Sequence, residues 1–149
     1  MEYKKLESSY MDAFVENRME FVISIRNIEN VDLFREKTLE YIKNHINDDN
    51  LIIYVAIDKG EIISSCMLCI FETAPIPSSL DGKVGELLNV YTKKEYRRQG
   101  HSSKLIKLLI EDAKAKGISK IILEYTKEGY SLYKSLGFKD TYRHMEYKL

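Results

Sequence analysis

The chain has 149 residues, of which 44% are hydrophobic and 31% are charged, and these values are typical of one globular domain with a sizeable core. Its 23 Lys and Arg residues are balanced by 23 Asp and Glu residues, so the formal net charge is zero when the histidines are neutral. A dedicated nucleic-acid binder usually carries a basic excess, so this balance argues against that class. No apolar run approaches the roughly 20 residues that a membrane span requires.

The N-terminal ten residues contain lysines but no apolar segment behind them, which argues against a secretion signal. Neither repeats nor Pro/Gly-rich linkers divide the chain. We therefore expect a single domain over residues 1–149, located in the cytoplasm, with neither nucleic acid nor a membrane as a partner.

Helices are predicted where apolar residues recur every three or four positions, and strands where β-branched residues cluster between turn signals. Their order predicts a mixed α/β (α+β) sandwich around one sheet. The predicted elements are a strand at 3–6, helices at 10–25 and 32–45, strands at 51–57, 61–71 and 85–92, a helix at 102–116, a strand at 120–125, a helix within 128–138 and a strand at 142–149. The strand at 120–125 is nearly all apolar, which predicts burial on both of its faces.

The two cysteines, Cys66 and Cys69, form a C-x-x-C motif inside a predicted strand. Residues i and i+3 of a strand point to opposite faces, whereas a redox pair usually lies at a helix start. A structural zinc site needs about four ligands, and the three histidines are scattered. We expect two reduced, buried cysteines and no metal site.

The stretch "YRRQGHSSKL", residues 96–105, leads from a strand through a glycine turn directly into a helix. The first N–H groups of a helix lack internal partners and carry partial positive charge. Gly100 allows a ligand to approach the backbone closely, and Ser102 or Ser103 can cap the helix or donate a hydroxyl. These features predict an anion-binding turn suited to a diphosphate rather than a nucleic-acid patch or a solvated loop. The spacing fits neither a Walker loop nor a dinucleotide fingerprint.

The pattern Arg97-x-x-Gly100-x-Ser102 resembles motif A of the GCN5-related N-acetyltransferases, Q/R-x-x-G-x-G/A, with a serine at a position where the family has Gly or Ala. The segment "EGYSLYKSLGF" resembles the fourth helix of the same family, with its L-Y-x-x-L-G-F ending. The resemblance covers most of the chain. It implies a mixed, mostly antiparallel sheet of six to seven strands flanked by four helices, with the fourth and fifth strands splayed apart.

The resemblance implies acetyl-CoA as the co-substrate, with its pyrophosphate on the backbone N–H groups from Arg98 to Ser103. Arg97, Arg98 and Lys104 would add positive charge, or would be solvated surface residues. The pantetheine arm would pair with the end of the fourth strand, where the N–H of Val90 polarises the thioester carbonyl. We expect the His101 side chain to point to solvent. The implied cofactor-binding residues are Val90, Tyr91, Thr92, Arg97, Arg98, Gln99, Gly100, His101, Ser102, Ser103 and Thr126.

The resemblance also implies the catalytic residues. Tyr133 matches the family tyrosine that lies near the thioester sulfur, so we assign it as general acid, against the alternative of a packing tyrosine. Glu86 stands where the histone-acetylating branch has its glutamate base. The alternatives are an ordinary ion-paired carboxylate or a water chain ordered by Asn89 and Tyr91.

The implied reaction is direct transfer of an acetyl group to a primary amine of a small molecule or peptide in a ternary complex. The alternative is a non-catalytic acetyl-CoA sensor on the same fold. The resemblance places the amine acceptor between the two N-terminal helices and the loop that begins at Glu72, where Arg26, Glu29 and Asp32 also carry charge. Dimers are common in the family, and the last strand offers a place for a homodimer to pair.

Overall fold

The computed structural model of the chain describes residues 1–141 and 144–149. One five-stranded sheet, in the order β1-β2-β3-β4-β5, separates two layers of helices. The helices and strands are, in chain order, β1 (Glu2–Lys5), α1 (Met11–Ile25), α2 (Val31–His45), β2 (Leu51–Asp58), β3 (Glu61–Glu72), β4 (Lys83–Thr92), α3 (His101–Ala115), β5 (Lys120–Ile122) and α4 (Tyr130–Ser135).

Two apolar cores hold the helices on opposite faces of the sheet. On one face, Phe14 and Met19 of α1 and Ile42 of α2 pack against inward-facing residues of β2 and β3. On the other face, Leu105 and Leu109 of α3 pack against the sheet, and α4 lies against the same core. Apolar side chains at both helical and alternating spacing therefore determine the layered arrangement.

The sheet opens between β4 and β5. The first four strands pair antiparallel, whereas β5 runs parallel to β4 and pairs only with Val84, Gly85 and Glu86. Beyond Glu86, β4 continues to Thr92 without a partner on this side among the described residues. The expected splay of these two strands is present.

A β-bulge interrupts the pairing of β3 with β4 near the point where β4 separates from β5. Ser65 of β3 pairs with Tyr91 and Met67 pairs with Leu88, so Cys66 faces two residues, Asn89 and Val90. Asn89 has φ of 54°, a left-handed conformation that asparagine tolerates better than most residues. As a result, Leu88 and Asn89 both face the α1–α2 layer, and Val90 faces α3.

The C-terminal part differs from the prediction. The sheet has five strands rather than six or seven, and β5 ends at Ile122 instead of continuing to residue 125. Burial of β5 on both faces was a wrong prediction, because Ile121 packs against the α3 core while Ile122 is 39% exposed. Of the strand predicted at 142–149, residues 142 and 143 lie outside the described residues, and 144–149 form no strand. An alternating pattern becomes a strand only where a neighbouring edge offers hydrogen bonds, and three-residue β5 offers few.

The two cysteines lie on opposite faces of one strand, as the C-x-x-C spacing predicted, but only Cys66 is fully buried. Both are free thiols on β3, and Cys66 belongs to the α3 core whereas the less buried Cys69 packs against the α1–α2 core. Within residues 1–141 and 144–149, we find no helix with the length and apolar character needed to cross a membrane.

Candidate active site

The turn before α3 has the geometry of an anion-binding site. Gly100 is the N-cap of α3 with φ of 82°, and Arg98 also has a positive φ of 60°. The first internal bond of the helix runs from the Lys104 N–H to the Gly100 carbonyl at 3.0 Å. In the described part of the chain, the N–H groups from Arg98 to Ser103 have no backbone or side-chain acceptor. These donors lie at the positive end of a 15-residue helix, where an anion is favoured.

The side chains around this turn differ in how firmly they are held by neighbouring residues. The Arg97 Nε donates to the Thr92 carbonyl at 3.0 Å, which ties the turn to the end of β4. Lys104 Nζ lies 3.8 Å from the centroid of the Tyr3 ring. Gln99 is exposed and donates to the Glu95 carbonyl at 3.3 Å, and Arg98 is exposed as well. The side chain of Arg98 therefore has the most freedom to reach an anion.

Ser102 uses its hydroxyl inside the protein. Its Oγ lies 2.8 Å from Thr92 Oγ1, which lies 2.7 Å from Ser64 Oγ, and Ser64 donates to the Tyr91 carbonyl at 2.9 Å. Each hydroxyl has one proton, so the donors run from Ser102 to Thr92 to Ser64. The serine that departs from the family motif thus links α3 to β4. The hydroxyl of its half-buried neighbour Ser103, in the first turn of the helix, has no partner among the described residues.

The expectation that His101 points to solvent was wrong. Its side chain is 6% exposed, its Nδ1 lies 2.7 Å from the Tyr3 hydroxyl, and its Nε2 is buried without a partner among the described residues. His101 is the first residue of α3, and the centroid of its ring lies 5.9 Å from that of Tyr3 and 6.2 Å from that of Tyr96. This inward orientation leaves its backbone N–H, rather than its imidazole, at the anion-binding turn.

The residues at the opening of the sheet divide between its two faces. Val90 packs on the α3 side, whereas the Tyr91 side chain crosses to α1, stacks on Phe21 at 5.4 Å and donates to Glu20 at 2.7 Å. Burial and the Glu20 carboxylate raise the pKa of Tyr91 to about 12. Thr126 lies exposed beyond β5, and its Oγ1 accepts a hydrogen bond from the Gly129 N–H at 3.3 Å before α4 begins.

Tyr133 is held by packing rather than by hydrogen bonds. Its ring makes an edge contact with Phe138, with centroids 5.8 Å apart, and a Cβ at Gly129 would lie 3.0 Å from its Cε2. The hydroxyl has no hydrogen-bond partner in the described part of the chain. Burial, with a smaller contribution from Cys66, raises the pKa of Tyr133 to about 12. The phenol is therefore protonated at neutral pH and available as a donor.

Glu86 lies on the opposite face, half-buried, between Cys69 of β3 and Ile122 of β5. Its carboxylate has no cation within salt-bridge distance in the described part of the chain, so the ion pair considered as an alternative is not seen there. The structure brings Glu86 next to the opening of the sheet, where β5 ends.

A buried polar cluster near the bulge was not anticipated from the sequence. Asn89 Nδ2 donates to Ser65 Oγ at 2.9 Å, Ser65 Oγ donates to Asn17 Oδ1 at 2.6 Å, and Arg18 Nη1 donates to Asn89 Oδ1 at 3.3 Å. Burial lowers the pKa of Arg18. Residues 17, 18 and 65 belong to no motif, and only the polar positions within otherwise apolar elements signalled them.

The charged residues suggested for acceptor contact are dispersed. Arg26 lies 3.9 Å from Glu124, and Asp32 lies 3.3 Å from Arg35. Glu29 and Glu72 are exposed. Within the described ranges, no group of three or more His, Cys, Asp or Glu residues is arranged to hold a metal ion.

Comparison with known proteins identifies relatives of this arrangement. Thialysine N-epsilon-acetyltransferase of Sus scrofa is 39% identical over 84 residues, covering 54% of this chain and 49% of that protein. Its counterpart from Bos taurus is 41% identical over 66 residues, covering 42% of this chain and 39% of that protein. The chain thus spans about half or less of the length of the curated relatives it matches.

A solved structure gives a match over the whole fold. A predicted acetyltransferase of Clostridium acetobutylicum, crystallised with acetyl-CoA, superposes with a TM-score of 0.89 at 25% identity, covering 99% of this chain and 95% of that chain. The model of the acetyltransferase (GNAT) family matches residues 14–138, which include the anion-binding turn, the splayed strands and Tyr133. The chain belongs to the acetyltransferase (GNAT) family.

Proposed function

We propose that this protein is an acetyl-CoA-dependent acyltransferase that passes an acetyl group directly to a primary amine of a small molecule or peptide, within a ternary complex. The observation that carries the proposal is the adjacency of two features. A helix N-terminus with unpaired N–H groups lies where β4 ends, and β4 has separated there from β5. The helix N-terminus suits a diphosphate, and the gap between β4 and β5 leaves room for an extended arm beside a strand.

The relatives support the same chemistry. The Clostridium acetobutylicum protein was crystallised with acetyl-CoA, and the two curated relatives are named for acetylation of an ε-amine. The donor assigned to this chain is therefore acetyl-CoA, and the acceptor class is an amine.

In this proposal the backbone N–H groups from Arg98 to Ser103 hold the diphosphate, with Arg98 as the adaptable cation. Residues Val90 to Thr92 and Thr126 flank the pantetheine arm, and the Val90 N–H stabilises the carbonyl oxygen as negative charge develops on it. A preorganised donor of this kind is often worth about 3 kcal/mol in the transition state.

Activation of the amine requires removal of a proton, because an alkyl ammonium with a pKa of about 10 is protonated at neutral pH. Glu86 is assigned as the base on the strength of its position at the opening of the sheet. The second route is a water chain along Tyr91, whose hydroxyl is already bonded to the exposed carboxylate of Glu20. Tyr133 supplies the donor for the departing sulfur.

Acetyl-CoA is expected to raise the melting temperature of the protein. Ligand at 100 times its Kd adds about 2.7 kcal/mol of stability, which corresponds to roughly 5–10 °C for a domain of this size. The measurement is differential scanning fluorimetry, with S-acetyl-N-acetylcysteamine as the control, because this thioester lacks the diphosphate. No shift with millimolar acetyl-CoA contradicts the proposal. A shift without acetylation of any member of an amine panel favours the non-catalytic sensor.

The pH dependence distinguishes the two routes for the amine proton. If Glu86 is the base, Glu86→Gln removes the acidic limb of the kcat/KM profile and lowers activity by about 10²-fold, a typical contribution of a general base. Glu72→Gln, an exposed carboxylate on the neighbouring strand, is the matched control and should leave the profile intact. An acidic limb that stays unchanged in Glu86→Gln supports the water chain instead.

A further inference from the structure

Arg18 holds a positive charge on the face of the sheet that carries α1 and α2, under the bulge of β4. Its Nη1 donates to Asn89 Oδ1 at 3.3 Å, and its guanidinium lies 5.7 Å from the centroid of the Phe34 ring on α2. The side chain is half-buried, and burial lowers its pKa. The Phe34 ring and the bond to Asn89 hold the guanidinium in one place, which preorganises its remaining N–H groups for a ligand.

The charge of Arg18 lacks a counterion inside the described part of the chain. Arg35 has a carboxylate at 2.8 Å and Arg26 has one at 3.9 Å, whereas no carboxylate lies within 4.0 Å of Arg18. The one hydrogen bond to Asn89 uses one of five N–H donors. None of the remaining donors is among the fully buried side-chain atoms without a partner in the described part of the chain, so they keep some contact with solvent. Charges that are partly buried in proteins are usually paired. A guanidinium group with unpaired N–H donors is suited to an external anion.

A negative charge of the protein lies close by on the same face. Glu86 pairs directly with Cys69 across β3 and β4. Burial raises the pKa of the Cys69 thiol, the nearby Arg18 charge opposes that effect, and the Glu86 charge adds to it. Both charges are thus near the Cys69 thiol. Arg18 contacts Asn89 at the bulge, and Glu86 lies three residues before Asn89 on β4.

We propose that Arg18 binds a carboxylate of the acceptor, so that the acceptor class is an amine that also carries a carboxylate, such as an amino acid. This inference rests on the proposed function. A free amino acid brings an ammonium group for Glu86 and a carboxylate for Arg18, matching both charges on this face. A polyamine without an anionic group would place ammonium groups beside an uncompensated guanidinium and would be repelled.

The experiment compares L-lysine with cadaverine, which differs from it by the absence of the carboxylate. The wild type should prefer lysine in kcat/KM. Arg18→Gln should lower kcat/KM for lysine by about 10- to 100-fold, the loss typical of a charged hydrogen-bonded pair, and change the value for cadaverine less than about threefold. Arg18→Lys keeps the charge but not the planar guanidinium. Its kcat/KM for lysine should lie between those of the wild type and Arg18→Gln. Arg35→Gln, on α2, is the matched control and should leave the lysine-to-cadaverine ratio unchanged.

Melting temperature and acetyl-CoA Kd are measured for every variant. Equal loss with both acceptors in Arg18→Gln would show a structural role and overturns the inference. The inference is also overturned if cadaverine is acetylated as efficiently as lysine. It is overturned as well if the enzyme acetylates amines but none that carries a carboxylate. A preference for O-phosphoethanolamine over lysine that depends on Arg18 overturns the assignment to a carboxylate. In each of these cases the wild type still binds acetyl-CoA and acetylates some amine, whereas failure of the proposed function appears as a wild type that does not bind acetyl-CoA or that acetylates no amine of the panel.

Discussion

Gly100→Ala is expected to weaken acetyl-CoA binding by about 10- to 100-fold, which is roughly 1.4–2.8 kcal/mol. Gly100 has φ of 82° at the N-cap of α3, and a Cβ in the left-handed region costs about 1–2 kcal/mol. Apart from its chain neighbours, no atom of the described residues lies within 4 Å of that Cβ, so the substitution introduces backbone strain without a clash. Relief of the strain turns the N–H groups of the first turn away from their common direction, and the diphosphate loses several donors at once.

Gly117→Ala is the matched control, because Gly117 lies just beyond the C-terminus of the same helix. Its φ is 74°, and within 4 Å its Cβ would also meet no atom of the described residues other than its chain neighbours. Both variants should lose about 1–2 kcal/mol of unfolding free energy in chemical denaturation. In isothermal titration calorimetry, Gly117→Ala should keep the wild-type Kd for acetyl-CoA. Equal affinities in the two variants would mean that the turn before α3 does not hold the diphosphate.

The geometry of the turn before α3 was predictable from sequence because its determinants are local. A glycine between a strand and a helix requires only neighbouring residues to adopt its conformation, and the unpaired N–H groups follow from helix geometry. The two faces of β3 were predictable for the same reason, since side chains alternate along any strand. Cys66 and Cys69 accordingly lie on opposite faces.

The face of the sheet that carries α1 and α2 was less predictable because it depends on contacts between distant segments. Arg18 meets Asn89 across 71 positions of sequence, and Asn89 faces α1 only because a bulge in the β3–β4 register turns it there. His101 is buried because its ring packs against Tyr3, which lies 98 positions earlier in the sequence, on the edge strand β1. No local pattern encodes such pairings. The predicted strand at 142–149 failed in the described residues 144–149 because its alternation says nothing about a partner edge.

Tyr133→Phe is the second substitution with a large expected effect, a fall in kcat of about 10²-fold, at the low end of the range for general acids. The low end follows from the energetics of the proton. The pKa of Tyr133 is raised to about 12 by burial, whereas a free thiol has a pKa of about 8.5, so complete transfer to a thiolate is uphill by about 3.5 pKa units, or about 5 kcal/mol. We therefore expect Tyr133 to act by donating a hydrogen bond to the sulfur as charge develops.

The raised pKa also predicts the pH profile. At pH 10 roughly 99% of a phenol with a pKa of about 12 keeps its proton. Loss of the donor occurs only as the pH rises through that value. The kcat profile of the wild type should therefore show no alkaline limb from Tyr133 between pH 7 and 10, and Tyr133→Phe should lower the whole profile without changing its shape.

The control for Tyr133→Phe is Tyr130→Phe, one turn earlier on α4, whose hydroxyl donates to the exposed Asp140 at 2.7 Å. Phenylalanine at 133 keeps the edge contact with Phe138 and the space left by Gly129, so the melting temperature and the Kd for acetyl-CoA should stay near those of the wild type. Tyr130→Phe should leave kcat unchanged. If single-turnover kinetics show equal acetyl-transfer rates in the wild type and Tyr133→Phe, the residue is only a packing tyrosine. A rate that falls while binding and stability hold assigns the lost activity to one hydroxyl, because no other atom differs between the two proteins.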